Sequence, residues 1–593
     1  MKRLPPVRKF CIAALTATLA LTFDMGCGTI PSSSANLEAS RSATTLSKPN
    51  IILIVLDDVG FAEIGCFGSE IHTPNIDALA RDGLRYNRFD TKAICSPSRA
   101  ALLTGRNNHT LRMGDLASHA PKEATESDLT YTRGEMPQDA ELISHALGQS
   151  GYRTVAIGKW HLAPKYEDGS EGNRASWPLQ RGFDQYYGFI SGSTDQYHPA
   201  LIEGNAKLPK VERPGYHFSV DLVDRAIDAM KPSETKDSAR PVFLYLAFGA
   251  AHCPHHVFAS YRDKYAGVYD KGWDEVRRER FDRQKKMGII PESTVLPERN
   301  TGDPAWSSLT AQQKKVFVEF MENFAGFMEH TDEQVGRLVS YLKSSGQYEN
   351  TLIVLLSDNG PAPEGVLTGG FNQFYMDETP LSEMEKRLDE LGSPTTQPLY
   401  PRPWAMAGAT PFRRYKLWPF AGGVRTPLIV SWPKVIKDGG AVRGQYVDII
   451  DIAPTLLDAA GAQFRSTIDG REQIPVAGES IRASFTSASA KSARNIQYFE
   501  LRGNRAITAG PWKAIAIHVP GTDFAKDQWQ LFNIDSDFSE STDLSAKYPR
   551  KVEELISLWM SEAKKYSDPP VKEMPDRLRG YHIYDDEYPP GKN

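Results

Sequence analysis

The sequence predicts an α/β fold: a large, mostly parallel central sheet flanked by helices, with a smaller C-terminal antiparallel sheet plus helix. Three observations lead there. Short apolar runs rich in Ile, Val and Leu recur between residues 51 and 356, separated by helical patterns, as buried parallel strands require. Each run gives way at once to polar residues, the usual place for ligand groups in open α/β sheets. Beyond residue 480 the pattern changes to closely spaced short strands followed by one helical run.

Ile51 to Leu56 is the first buried strand, and Asp57-Asp58 follows it. Asn75 to Asp82 (NIDALARD) has the pattern of a crossover helix. In Cys95-Ser96-Pro97-Ser98-Arg99, Ser96 fits an N-cap and Pro97 the first helical position, after which Ala-Ala-Leu-Leu propagates a helix. Cys95 is thereby expected at the positive end of a helix, where unpaired amides and aligned peptide dipoles favour an anion. Asp139 to Ser150 reads as a second crossover helix, Thr154 to Ile157 as the second strand, leading into Lys159-Trp160-His161. Val242 to Phe248 is the third strand, with His252 beyond it. Val316 to Ser344 is a long amphipathic helix, and Leu352 to Leu356 the fourth strand, ending at Asp358-Asn359. These four strand ends are expected to converge on one site. Pro361 to Thr410, rich in Pro, Gly and polar residues, is too long for a simple connector and reads as a functional or disordered loop. The second unit has strands at Asn495 to Glu500, Arg505 to Thr508, Trp512 to His518 and Trp529 to Phe532, then a helix from Lys551 to Tyr566.

At 593 residues and 40% hydrophobic content the chain is long enough for two unequal domains, set here at residues 48–480 and 481–593. A net charge of −5 from 69 basic and 74 acidic side chains, without a Lys/Arg block, excludes a nucleic-acid partner. Lys2, Arg3, Arg8 and Lys9 precede an apolar run from Phe10 to Phe23 that is too short to span a bilayer, so residues 1–27 read as an export signal. Gly26-Cys27 before a Ser-rich tether (28–47) looks like a lipoprotein site, but Asp24 departs from the usual pattern. Periplasmic release and a membrane tether through lipidated Cys27 therefore both stay open. Of the remaining cysteines, Cys66 and Cys253 can pair if Cys95 is converted; there is no disulfide framework.

Asp57, Asp58, Asp358 and Asn359 form an all-oxygen ligand set suited to a hard divalent cation. Ca2+ is preferred over Mg2+, because a cage built mainly of protein oxygens tolerates its longer bonds. Lys159 and His161 leave a strand end around Trp160, a packing anchor. His255 and His256 read as surface or pocket rim, and the Asp-rich remainder argues against zinc. Tyr186, Tyr187, Tyr197, Phe371, Phe374, Tyr375 and Trp404 either line an apolar pocket or belong to the core.

The pentapeptide Cys95 to Arg99, with GKWHLAP, FGAAHCPHH and ATPFRRYKLWPFAGGVRTP, resembles the formylglycine-dependent sulfatases, nearest to bacterial arylsulfatases of the alkaline-phosphatase-like superfamily. The resemblance runs from about residue 48 to 570 through SEIHTPNIDALARDG, WPLQRGFDQYYGF, MEHTDEQVGRL, DIAPTLLDAAG and QYFELRGNRAI. It implies that Cys95 is oxidised to formylglycine by a formylglycine-generating enzyme acting on the unfolded chain, and that the modified residue joins Asp57, Asp58, Asp358 and Asn359 as a metal ligand. By the same resemblance Arg99, Lys159 and Lys416 hold the sulfuryl oxygens, His252 protonates the leaving oxygen, and His161 deprotonates the hydrate to expel sulfate. The implied reaction converts an aryl sulfate, a small-molecule sulfate ester, to a phenol and inorganic sulfate. Ala421 stands where many relatives carry an acidic residue, and Phe61 and Glu63 where they often show Tyr and Asp. The alternatives are a phosphonate monoester hydrolase or phosphodiesterase of the same superfamily and, in another class, a non-catalytic surface-tethered binding protein.

Overall fold

The computed structural model describes residues 48–120, 131–168, 173–232, 240–372, 379–519 and 521–566. The expected export signal and tether, and Phe374 and Tyr375, lie outside the described residues. Ten strands form the central sheet, in the spatial order Val442–Arg443, Leu84–Tyr86, Leu428–Ser431, Thr351–Ser357, Asn50–Leu56, Val242–Ala247, Arg153–Lys159, Gln185–Phe189, Ile202–Glu203, Ala206–Lys207. The five from Thr351–Ser357 to Gln185–Phe189 are mutually parallel, and antiparallel strands flank them on both sides. Four of these five are the four runs that the sequence marks.

The central strand is apolar at every position after Asn50 because both of its faces are covered. Ile52, Ile54 and Leu56 face the helices Phe218–Met230, Gly272–Lys286 and Ala311–Ser344. Ile51, Leu53 and Val55 face the helices Cys95–Thr104, Ile143–Gln149 and Ile452–Ala460. The period-two alternation of a strand therefore splits one run between two cores.

Register places the strand ends side by side. Leu56 pairs with Ser357, Val55 with Ala247, and Gly158 with Ala247, so Asp57, Asp358, Lys159 and the segment after Ala247 leave the sheet at one level. The Asp358 amide donates to the Leu56 carbonyl and the Asp57 amide to that of Ala250, which carries the alignment past the last strand pairs.

The long helix begins at Ala311, five residues before the apolar pattern, because Thr310 and Gln313 form a reciprocal capping box ahead of polar residues. The second crossover helix is shorter than its pattern and spans Ile143–Gln149. The backbone of Glu141 is engaged outside the helix, its amide donating to Gln473 Oε1 and its carbonyl accepting from Arg106 Nη1. Cys66, Cys95 and Cys253 are all free thiols.

The C-terminal sheet joins Ile496–Leu501, Asn504–Ala509, Trp512–Ala516 and Trp529–Asn533 as consecutive antiparallel strands. Leu555, Trp559 and Ala563 of the Pro549–Tyr566 helix pack on Tyr498, Ile507, Ala514 and Leu531. Among the described residues no helix is long and apolar enough to cross a membrane.

Candidate active site

Cys95 is the first residue of the Cys95–Thr104 helix, which starts two positions earlier than the expected Pro97. Ser96 is not the cap: its hydroxyl donates to the His161 carbonyl and accepts from the Ala117 amide, so it ties the helix start to two neighbouring segments. Ile94 precedes the helix in extended conformation without a side-chain cap, and the Cys95 side chain, in a residue 2% exposed, places its sulfur 3.6 Å from Asp57 Oδ1.

Around that thiol the strand ends deliver their polar groups. Asp57, Asp58, Asp358 and Cys95 each bring a ligand atom within 4.8 Å of the others. Arg99, one turn along the helix, donates from Nε to Asp358 Oδ2 at 2.8 Å. Lys159 Nζ donates to Asp57 Oδ2 at 2.5 Å, and Lys416 Nζ to Asp58 Oδ2 at 2.9 Å. Asn359 donates from Nδ2 to Asp58 Oδ1 at 2.6 Å. His252 Nε2 stands 3.6 Å from Asp58 Oδ2, while its Nδ1 donates to the Cys253 carbonyl and fixes the ring. The His161 ring packs on Gly192, where a Cβ would lie 2.7 Å from it, and neither ring nitrogen has a protein partner. Every site residue named from the sequence therefore falls in one cluster.

Burial governs how these groups ionise. It pushes the Cys95 thiol well above the ordinary thiol range. It raises Asp358 to about 6 despite Arg99, because Asp57 and Asp58 add repulsion. Asp58 also feels burial, yet Lys416, His252 and Lys159 hold its carboxyl below the usual range. Burial and the nearby Lys159 and Arg99 charges keep His161 neutral. His252 is lowered to about 4, again chiefly by burial. Lys416 stays charged against its burial because Asp58 and Glu364 face it.

The donor set fits a hard cation. Asp358 Oδ1 and Asn359 Oδ1 are buried without a hydrogen-bond partner, an expensive state that a cation relieves. Charge balance agrees. Asp57, Asp58, Asp358 and Glu364 outnumber Arg99, Lys159 and Lys416 by one negative charge, and a divalent cation reverses that sign.

Four described non-glycine residues of the cluster and its cavity take left-handed backbone: Asp58 (φ 61), His161 (φ 55), Leu417 (φ 78) and Arg502 (φ 54). Such conformations cost non-glycine residues roughly 1 kcal/mol or more and concentrate where side chains must be aimed.

Cys95, His161, His252 and Lys416 of the cluster line a cavity of about 520 Å³. Its walls include Ile94, Leu116, Ile190, Leu399 and Leu417, with His119, Lys165, Glu364 and Arg502, residues that no motif marks as site residues in the sequence. Glu364 and Leu399 come from the 361–410 stretch, which is a wall of the site and carries helices at Leu381–Lys386 and Arg402–Gly408. Tyr186, Tyr187, Tyr197, Phe371 and Trp404 are buried and do not line this cavity. His255 and His256 are also core residues, 1% and 0% exposed, rather than surface or rim. Where an acidic residue is missing at Ala421, the Glu540 carboxylate accepts from the Ala421 amide and takes the Lys513 ammonium. Phe61 packs edge-on against Phe67 and Phe412, and Glu63 accepts from the Gly60 amide.

The sulfatase family model matches residues 49–462, and a model of the N-sulphoglucosamine sulphohydrolase C-terminal region matches residues 415–561. An uncharacterized sulfatase of Schizosaccharomyces pombe is 30% identical over 86% of this chain and 93% of its own length. An arylsulfatase of Klebsiella aerogenes is 30% identical over 79% of this chain and 97% of its own. In solved structures, a putative sulfatase of Bacteroides fragilis shares the fold at a TM-score of 0.59 with 18% identity, over 88% of this chain and 96% of that one. The family match spans most of the chain and contains all the clustered residues from Asp57 to Lys416: the chain belongs to the sulfatase family, the sulfuric ester hydrolases.

Proposed function

We propose that this chain hydrolyses aryl sulfates to a phenol and inorganic sulfate, with formylglycine at position 95 and Ca2+ at the carboxylate cluster. The observation that carries the reading is that Cys95, His161, His252 and Lys416 line one cavity while Cys95 meets three carboxylates bonded by Lys159 and Lys416. Asp57, Asp58, Asp358 and Asn359 would hold the cation, with residue 95 beside them. The hydrated aldehyde supplies a geminal diol nucleophile, and the cation lowers the cost of negative charge next to it.

The chain's own side chains account for the rest. Lys159 and Lys416, both buried and charged, offer ammonium donors to sulfuryl oxygens, and Arg99 fixes Asp358 while adding positive potential. His252 is held by the Cys253 carbonyl with Nε2 facing the cluster, in position to give a proton to the leaving oxygen. An anionic ester beside His252 raises its proton affinity from the low value that burial imposes. His161, neutral and with both nitrogens unengaged by protein, is suited to accept a proton from residue 95. Burial of Cys95 favours conversion before folding, by a formylglycine-generating enzyme acting on the unfolded chain. The basic and apolar N-terminal residues favour export, to the periplasm or to a lipid anchor at Cys27.

The chain co-produced with a formylglycine-generating enzyme is expected to hydrolyse a nitrophenyl sulfate, to lose that activity on chelation, and to regain it with Ca2+. Faster cleavage of the matched phosphonate ester would overturn the assignment in favour of phosphonate hydrolysis. In the same assay Lys416→Met should lower kcat/KM by about 10²- to 10³-fold, the usual consequence of losing one preorganised donor to transition-state charge.

A further inference from the structure

We infer that Arg502 is a specificity-determining residue that selects leaving groups carrying an anionic oxygen, a carboxylate or a second sulfate. The inference rests on the sulfate-ester reading of the same cavity. Arg502 belongs to the C-terminal sheet, yet it lines the wall of the cavity that begins at Cys95.

Its backbone is unusual for its residue type. Leu501 pairs with Asn504, so Arg502-Gly503 is the two-residue turn of a hairpin, with φ of 54 and 89. Turns with two positive φ values favour Asn-Gly, and an arginine in the first place costs roughly 1 kcal/mol or more. The hairpin itself has no need of that residue.

A buried network holds the turn in place. Glu500 accepts from the Gly503 amide and from Tyr131 Oη, and its other oxygen lies 2.7 Å from His109 Nε2. Tyr131 Oη in turn accepts from the Arg502 amide at 2.9 Å. The Arg502 side chain is 5% exposed, and Asp115 takes its Nε and Nη2 at 3.1 and 2.9 Å. A guanidinium pinned at both ends has already lost the rotamer freedom that a flexible side chain surrenders on binding, so ordering costs little when a ligand arrives.

The surrounding charge points to an anion. Lys165 lines the same cavity and has no ion-pair partner among the described residues, whereas His119 and Arg502 share the Asp115 carboxylate. The acidic residue lining the cavity, Glu364, is engaged by Lys416 at 2.8 Å. The described aromatic side chains considered for an apolar pocket, Tyr186, Tyr187, Tyr197, Phe371 and Trp404, do not line this cavity, whose apolar lining among the described residues is aliphatic, with Arg502 and Lys165 as its charged groups away from the cluster. Charge-assisted contacts from a planar guanidinium favour carboxylate or sulfate oxygens over neutral hydroxyls.

The test compares meta-carboxyphenyl, meta-sulfooxyphenyl, meta-hydroxymethylphenyl and meta-methylphenyl sulfates. The matured enzyme should prefer the two anionic esters over the methyl ester in kcat/KM, and the size of each preference tells carboxylate from sulfate. In Arg502→Asn combined with Asp115→Asn, that preference should fall by roughly 10- to 100-fold. Asn-Gly suits the turn, and the paired change leaves no buried carboxylate without a partner. Arg502→Lys should retain part of the preference. Dissociation constants of the same esters on Cys95→Ala protein give a readout independent of maturation and should rank them alike. A hydroxymethyl ester served as well as the anionic ones, or a preference unchanged in the double variant, would overturn the inference alone. A chain that neither binds nor cleaves any of the four overturns the sulfate-ester reading with it.

Discussion

Cys95→Ala is expected to remove turnover of every sulfate ester, a fall of about 10⁴-fold or more, which is the scale on which loss of an enzymic nucleophile registers. Alanine offers no thiol for oxidation to an aldehyde. Fold and binding should survive, because the change removes one sulfur atom that sits 3.6 Å from Asp57 Oδ1 and belongs to no disulfide. The thermal midpoint should stay within the few degrees that correspond to about 1 kcal/mol in a chain of this size. The unconverted parent is expected to be equally inactive. Burial pushes its thiol well above the ordinary range, and Asp358 and Asp57 add to that, so the group is neither an aldehyde hydrate nor a thiolate. Assays on three preparations, converted, unconverted and Cys95→Ala, check this directly. Substantial turnover by Cys95→Ala would mean that the nucleophile lies elsewhere.

Much of this site was legible because its residues stand directly after buried strands. Ile51 to Leu56 and Leu352 to Leu356 read as strands from composition alone, and their register brings Asp57 level with Asp358. Lys159 was assigned just beyond its strand and is the last residue of it, since Gly158 and Lys159 pair with Gly188 and Phe189 and carry no apolar signal. Ser96 followed by proline looked like a cap, but local helix-start chemistry yields where a hydroxyl finds tertiary partners, here the His161 carbonyl and the Ala117 amide. Glu364 left no mark in its Pro/Gly-rich stretch, because its role depends on an ion pair with Lys416 that only the fold creates. Arg502 did leave a signal: an arginine before glycine between two strand-like segments, where a hairpin favours asparagine. The histidines misassigned to the surface, His255 and His256, sit in a polar-looking segment whose burial comes from the long helix and from the backbone around Thr396 and Pro398.

His217→Asn should change the pH dependence of stability by about one proton, with a maximal effect of about 3 kcal/mol. His217 is buried and uses both ring nitrogens in its neutral form: Nε2 donates to the His256 carbonyl, and Nδ1 accepts from the Ser219 amide, which caps the Phe218–Met230 helix. A second proton has no place on Nδ1 without breaking that cap. The His330 ring lies 4.1 Å away and adds repulsion if both are charged. Burial accordingly lowers His217 to about 4. Above pH ~6.5 the imidazole is neutral in both folded and unfolded chains and contributes no pH dependence. Below it the unfolded chain takes up the proton first, so folding loses about 1.4 kcal/mol per pH unit until the folded value is reached. Glu63, raised to about 8 chiefly by burial, slopes the opposite way between its folded and unfolded values, so the curve of the whole protein is a difference of such terms. The substitution isolates one of them. Asparagine serves as an N-cap without titrating, so the variant should be less stable than the parent near pH 8 and gain on it steadily from pH 6.5 to 4. Unfolding free energies by denaturant titration across that range measure the gap. Two parallel curves would show that the unfolded chain binds no extra proton at this position, and that the second nitrogen of His217 is not committed to the helix cap.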